Sequence, residues 1–304
     1  MLLRLAVIAA VGVLLWLFAR ELEWGKLAHD LGHAKLWPLV VAAVLNFGCL
    51  AGKAVSWRIL LAPRYTVGTG RLLRYTIVAF ATSIIAPARA GEVVRLWALK
   101  RRDGVPIADS AAVAVGEKLL DGVTMLMLVA PIPWLLPGLP AWVGQAILLC
   151  SAIAIAAFGV LYIAHGRIVI HEKSSWLARF IAGMHVVRSP RRLAAALATL
   201  IFVWLCDLAM VTLVLYAVGI DVPIAAGLLI LFTTNLTIML PSTPAQVGAL
   251  EIGAIAATRV LGVADEPAFA FALLYHALQV LPTLAAGLVL ELPTVLGREK
   301  MVEA

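Results

Sequence analysis

Long apolar runs, separated by short polar connections, fill most of the chain. Runs at about 3–19, 37–62, 108–136, 142–164, 194–218 and 268–290 are predominantly apolar along their length. Each has the ~20 residues needed to carry a helix through ~30 Å of hydrocarbon. The pattern therefore predicts an all-α fold, a polytopic membrane bundle of about six spanning helices. Two further apolar regions, about 72–104 and 224–261, are interrupted in the middle, the first by Pro87 and Gly91, the second by Pro241, Pro244 and Gly248. Each half is short, which favours two broken, re-entrant helical hairpins that enter and leave on one side over the alternative of full spans, which is most open for the second region.

Composition strengthens this reading. Apolar residues make up 63% of the 304 positions and charged residues 13%, a balance that a water-soluble core of this size cannot bury. The chain is read as a single integral membrane domain, 1–304, with repeat-like halves at about 37–136 and 194–290 and a basic loop at 165–193. Residues 2–19 have the look of a signal peptide, but no clear Ala-x-Ala site follows, so an uncleaved first span is expected.

The net charge of +7 resides in short loops, without the aromatic-basic module of a nucleic-acid binder. Arg167, Lys173, Arg179, Arg188, Arg191 and Arg192 crowd the 165–193 connection, and Lys100, Arg101 and Arg102 the 99–106 connection. The positive-inside rule places both loops, and both termini, in the cytoplasm. Segment 63–74 joins them. The balanced 20–36 segment and the 262–267 loop, with Asp265 and Glu266, fall outside. Trp24, Trp37, Trp97, Trp134, Trp142 and Trp176 lie near span ends as an interfacial belt, and 171–192 suits the anionic inner leaflet. Cys49, Cys150 and Cys206 lie in separate apolar segments without metal or redox spacing. His29 and His33 lack a third ligand, so no metal or cofactor is expected.

The two interruptions resemble each other. Pro87-Ala88-Arg89-Ala90-Gly91 parallels Pro244-Ala245-Gln246-Val247-Gly248, and a Gly-Val pair follows each, at Gly104-Val105 and Gly262-Val263. Three crossings separate the copies. An odd number inverts one relative to the other, the arrangement of weak inverted repeats whose substrate site lies between broken helices.

Polar residues at these places are the candidate chemistry. Thr243, Pro244 and Gln246 read as a capping box with proline at the first helical position, so a helix is expected to start there. Its exposed N–H groups either receive a phosphate or are satisfied by neighbouring helices. Thr233, Thr234, Asn235 and Thr237 either line a cavity or bond across helices. In the first break, Arg89, Glu92 and Arg95 recur every three residues, forming either a lipid-phosphate site or a self-satisfied network. Glu117 and Asp121 share a face at the start of a span, with Arg89 and Arg95 as expected partners. Asp207 is a candidate for ion or proton coupling, or else a hydrogen-bonded interior carboxyl. Glu251 is a further intramembrane carboxyl. No nucleophile-base pair, Gly-rich phosphate loop or metal cluster is present, and paired carboxylates alone do not establish acid-base catalysis.

Three motifs resemble the lysylphosphatidylglycerol synthase transmembrane-region family: Pro87-Ala88-Arg89-Ala90-Gly91-Glu92 with Arg95, Gly116-Glu117-Lys118-Leu119-Leu120-Asp121, and Leu240-Pro241-Ser242-Thr243-Pro244 with Gly248 and Glu251. The resemblance runs from about 40 to 290. It implies a flippase-like membrane domain of a prokaryotic plasma membrane. A stand-alone member without the soluble synthase domain is expected, because the sequence as read ends at Ala304. Two positions depart from the family pattern. Ala245 stands where glycine often follows the proline, and His276 follows Tyr275 where arginine is common, which could make the site sensitive to pH. The resemblance thus implies a transporter, not an enzyme, that moves a phosphate-bearing, glycolipid or hopanoid-type lipid between leaflets. Membrane lipids and lipid-biosynthesis enzymes are the implied partners. Arg89 and the Pro244 helix start would hold the head group, and Glu117, Asp121 and Glu251 would balance charge or gate. An intramembrane lipid-modifying transferase and a non-catalytic assembly partner are the alternatives.

Overall fold

A computed structural model describes residues 25, 32–62, 64–86, 90–167, 189–239 and 244–295, with side chains at 157, 158, 160–167, 244 and 292–295 excepted. The expected 3–19 span and most of the basic 165–193 loop lie outside them. Among the described residues there is helix and no strand. The elements are α1 (Leu36–Leu61), α2 (Thr69–Ile85), α3 (Ala90–Asp103), α4 (Ile107–Val129), α5 (Ile132–Leu135), α6 (Ala141–Arg167), α7 (Pro190–Ala217), α8 (Ile224–Ile238), a 3-10 turn (Pro244–Gln246), α9 (Ala249–Val260) and α10 (Asp265–Val295).

Three helices are long and apolar enough to cross a membrane: Leu36–Leu61, Pro190–Ala217 and Asp265–Glu291. α4 has the length, but Asp109, Glu117, Lys118 and Asp121 give it too much charge for that criterion. The span expected over 108–136 is divided. Pro131 has no N–H to continue α4, and the chain turns into the short α5. Both predicted interruptions are present, between α2 and α3 and between α8 and α9.

α1 packs along α7, and Gly52 permits the approach: a Cβ there would meet Val203 Cγ2 at 2.5 Å. The two broken segments fold back on themselves by the same device. A Cβ on Gly91 would lie 1.7 Å from the Ala79 carbonyl oxygen of α2, and one on Gly253 would lie 2.6 Å from Thr234 Cα of α8. Small residues at such contacts let helices reach van der Waals packing where apolar lipid offers no hydrophobic drive for association. The open end of the α2–α3 hairpin is tied by Asp103, which accepts from Arg71 Nη1 at 2.6 Å and from Tyr75 Oη at 2.9 Å.

α10 contains Pro282, which cannot donate to the carbonyl of Leu278 one turn earlier. Asn46 of α1 supplies the missing donor. Its Nδ2 reaches Leu278 O at 3.2 Å and Thr283 Oγ1 at 3.0 Å. At the other end of α1, Tyr65 donates to the Asp109 carboxylate and Arg64 lies 3.7 Å from it, closing the 62–68 loop on the start of α4. Desolvation, and then the bond to Asp109, push the Tyr65 phenol up to about 12.

Two apolar cores result. One surrounds Trp57, Leu72, Leu99 and Leu120, and the other surrounds Met210, Phe232, Phe271 and Tyr275. Large apolar side chains such as Val40, Val44, Phe202, Leu281, Leu288 and Val289 remain on the outside, the distribution expected when lipid is the solvent. Trp37, Trp97, Trp134 and Trp142 are exposed as the belt requires. Trp24 and Trp176 lie outside the described residues.

Candidate functional site

The polar interior begins with Lys53, the first charged side chain along α1. Its Nζ lies 2.7 Å from Asp121 Oδ2 and 3.8 Å from Glu117 Oε1 of α4. Glu117, 2% exposed, also accepts from Trp57 Nε1 at 2.6 Å and faces Arg95 Nη2 of α3 at 3.5 Å. The Arg95 guanidinium lies 4.0 Å above the Trp57 ring, a cation–π contact that also holds its plane. Two cations and two carboxylates are thus balanced in a desolvated cluster. Removing one member leaves an uncompensated charge at a cost of about 3–5 kcal/mol.

The balance of charge leaves hydrogen-bonding capacity over. Arg95 is 4% exposed, yet its Nε and Nη1 have no hydrogen-bond partner among the described residues, and neither do Glu117 Oε1 and Asp121 Oδ1. Such groups are costly to bury unpaired, so they mark a place where a polar guest would be stabilised. Glu92 is not part of this interior. It lies 3.4 Å from Lys118 in a half-exposed pair.

A second polar group joins α7 to α10, where Tyr275 Oη donates to Asp207 Oδ1 at 2.8 Å. The Tyr275 ring stacks on Phe271 with centroids 5.7 Å apart.

The α8–α9 break differs from expectation in its local geometry. The helix does not begin at Pro244. Ala245 and Gln246 have positive φ, 55° and 64°, and α9 starts only at Ala249, after Gly248 with φ 87°. Left-handed backbone costs a residue with a Cβ about 1–3 kcal/mol, and glycine almost none. The predicted Thr243–Gln246 capping box is thus replaced by half a box one turn later: Glu251 Oε2 accepts the Gly248 N–H at 2.6 Å. A carboxylate of the chain itself already occupies the helix start that Pro244 was expected to offer to phosphate. The other oxygen, Oε1, lies 2.6 Å from His276 Nδ1, and His276 Nε2 lies 2.8 Å from the Ala245 carbonyl.

The cavity-lining alternative for Thr233, Thr234, Asn235 and Thr237 also changes. Each bonds a carbonyl of its own helix, as Thr234 Oγ1 does to Ile230 O at 2.7 Å and Asn235 Nδ2 to Leu231 O at 2.9 Å.

Arg89 and Thr243 lie outside the described residues, and Pro244 is described by its backbone alone. Of the remaining candidates, the structure joins Arg95, Glu117 and Asp121 in one cluster and Glu251 with His276 in another. It bonds Asp207 to Tyr275 and places Gln246 in the strained turn. Lys53 and Trp57 are participants that sequence reasoning did not single out. A signal existed for Lys53, an isolated cation within an apolar span. Among the described residues, no group of three or more His, Cys, Asp or Glu could hold a metal ion.

Residues 1–287 match the family described as Lysylphosphatidylglycerol synthase TM region. The chain belongs to this family. The family is a membrane domain linked to lipid synthesis or flipping, so the polar interior described above belongs to a membrane-embedded domain. No curated protein matches the chain.

Proposed function

We propose that this member of the family is a lipid transporter that moves a polar or phosphate-bearing lipid between the leaflets of a prokaryotic plasma membrane. The observation that carries the reading is Arg95, a buried guanidinium beside the α2–α3 break with two nitrogens unpaired among the described residues. Guanidinium pairs with phosphate oxygens through parallel N–H bonds. Glu117 balances its charge, and Asp121 that of the neighbouring Lys53, when no head group is present. The sequence offers Arg89, three residues before Glu92, as a second guanidinium for the head group. The chain is multi-pass with both termini cytoplasmic, and the two broken segments are re-entrant halves of an inverted repeat. Each half also joins its first long helix to its last by a polar contact, Lys53–Asp121 in one and Asp207–Tyr275 in the other, which supports that symmetry. The transporter is not an enzyme. Lipid-biosynthesis enzymes are its natural partners.

The test is leaflet exchange of fluorescent phospholipids and native lipid extract in vesicles containing the purified protein. Exchange in the wild type, lost in Arg95→Gln, is expected. Folded protein that exchanges no lipid overturns the transport reading. A new lipid product that vanishes in Glu117→Gln would establish a transferase instead.

A further inference from the structure

His276 lies between two acceptors. Nδ1 faces Glu251 Oε1 at 2.6 Å, and Nε2 faces the Ala245 carbonyl at 2.8 Å. A carbonyl oxygen cannot donate, and the Glu251 carboxylate already accepts the Gly248 N–H through Oε2 at 2.6 Å. Both short contacts therefore require a hydrogen in them. A neutral imidazole beside an ionised carboxylate has only one. The pair holds a second proton, whichever partner is said to carry it.

We propose that His276 and Glu251 form a proton-operated latch that fastens linker residues 245–248 to α9 and α10. With two protons, the imidazole joins the Ala245 carbonyl to Glu251. With one, a lone pair must face an acceptor oxygen. The bond to the charged carboxylate is the stronger, so the Ala245 bond is the one released. What it restrains is a backbone with positive φ at Ala245 and Gln246, which has a reason to relax once the tie is gone. Both side chains are buried, His276 at 7% exposure and Glu251 at 5%, so water does not readily replace the lost partner.

The neighbourhood leaves this pair in control of its own proton. α10 packs against α1, α2, α7 and α9. Lys53 of α1 is engaged with Asp121, and Arg74 of α2 lies 3.9 Å from Glu291 at the far end of α10. Asp207 of α7 accepts from Tyr275, and Arg259 of α9 pairs with Asp265. Glu251 is the charged group that acts on His276.

The latch does not depend on lipid transport and is read directly from conformation. Imidazole ¹⁵N spectra of the wild-type protein, with the His276 signals identified by their loss in His276→Gln, report its protons between pH 5 and 9.5. Spin labels at Val247→Cys and Leu288→Cys, in a background with Cys49, Cys150 and Cys206 replaced by alanine, report the linker by electron–electron distance. Two protons and one narrow distance are expected at low pH. Loss of one proton should bring in a second distance, its population ratio rising about tenfold per pH unit around the same midpoint, as a one-proton equilibrium requires. In His276→Gln the distance should not respond to pH. The proposal is overturned if neither the number nor the ring position of the His276 protons changes with pH, if they change while the distance stays fixed, or if the distance still follows pH in His276→Gln. Should the labelled protein fail to fold, backbone amide shifts of Gln246 and Val247 in the wild type replace the distance, with the same expected and overturning outcomes. Leaflet exchange is measured separately, so a failed latch and a failed transport reading give different results.

Discussion

Tyr275 donates to Asp207 at 2.8 Å across α10 and α7, from 68 residues away in sequence. Lys53 and Asp121 have the same separation and meet across α1 and α4 at 2.7 Å. One contact is a neutral donor on a carboxylate and the other a full ion pair. The two contacts thus hold their helix pairs by different chemistry.

Lys53 separates Glu117 from Asp121 electrostatically, so Lys53→Met should destabilise the protein by about 3–5 kcal/mol, leaving the buried Glu117 and the half-buried Asp121 against Arg95 alone. Adding Asp121→Leu should recover part of the loss. Thermal unfolding of the single and double variants in one detergent checks both statements. Equal stability of Lys53→Met and wild type would contradict the balanced cluster.

Asn46 serves a carbonyl that Pro282 leaves free. Asn46→Ala should cost about 1–3 kcal/mol, the range for an unsatisfied buried polar group. In a Pro282→Ala background α10 has its own N–H for Leu278, and the same substitution should cost markedly less. A double-mutant cycle of unfolding midpoints measures the coupling. Additive effects would argue that Asn46 acts through Thr283 alone.

Gly253→Ala places a Cβ 2.6 Å from Thr234 Cα, whereas a Cβ on Gly122 would meet nothing within 4 Å. Overpacking of this kind costs about 1–3 kcal/mol. Gly253→Ala should therefore lower thermal stability clearly, and Gly122→Ala should leave it unchanged or raise it, since alanine is the better helix former.

Ala245 occupies left-handed backbone without glycine's freedom. Ala245→Gly should stabilise the folded state by about 1 kcal/mol, the lower end of the strain removed, after allowing for the greater entropy of the unfolded chain. A drop in the unfolding midpoint would count against strain at this turn.

Tyr65 should ionise late, at about pH 12, against about 10 for an unperturbed phenol. Its folded value is raised, so the neutral form is the stabilising one. That contribution is complete below pH ~10 and is lost as pH rises toward 12. The absorbance difference near 295 nm between wild type and Tyr65→Phe, titrated over this window, isolates the group. A midpoint at the ordinary phenol value would show that the Asp109 contact does not persist in solution.

Much of this was legible in one dimension. Apolar runs longer than a bilayer's width, the interruptions at Pro87–Gly91 and Pro241–Gly248, and carboxylates inside apolar segments determined the membrane class, the helical fold and the two breaks, and made Arg95, Glu117, Asp207 and Glu251 candidates. These follow from the chain alone because transfer into hydrocarbon sums over neighbouring residues, and proline and glycine act on their own backbone. The tertiary structure decided what each polar group meets: Lys53 with Asp121, Asn46 with the carbonyl that Pro282 frees, and His276 with Glu251 and Ala245. It also moved the start of α9 from Pro244 to Ala249, because the Glu251 carboxylate is held where it can cap Gly248. Those pairings join residues as much as 232 positions apart. They depend on which helix faces pack, and that choice is made by the whole bundle at once.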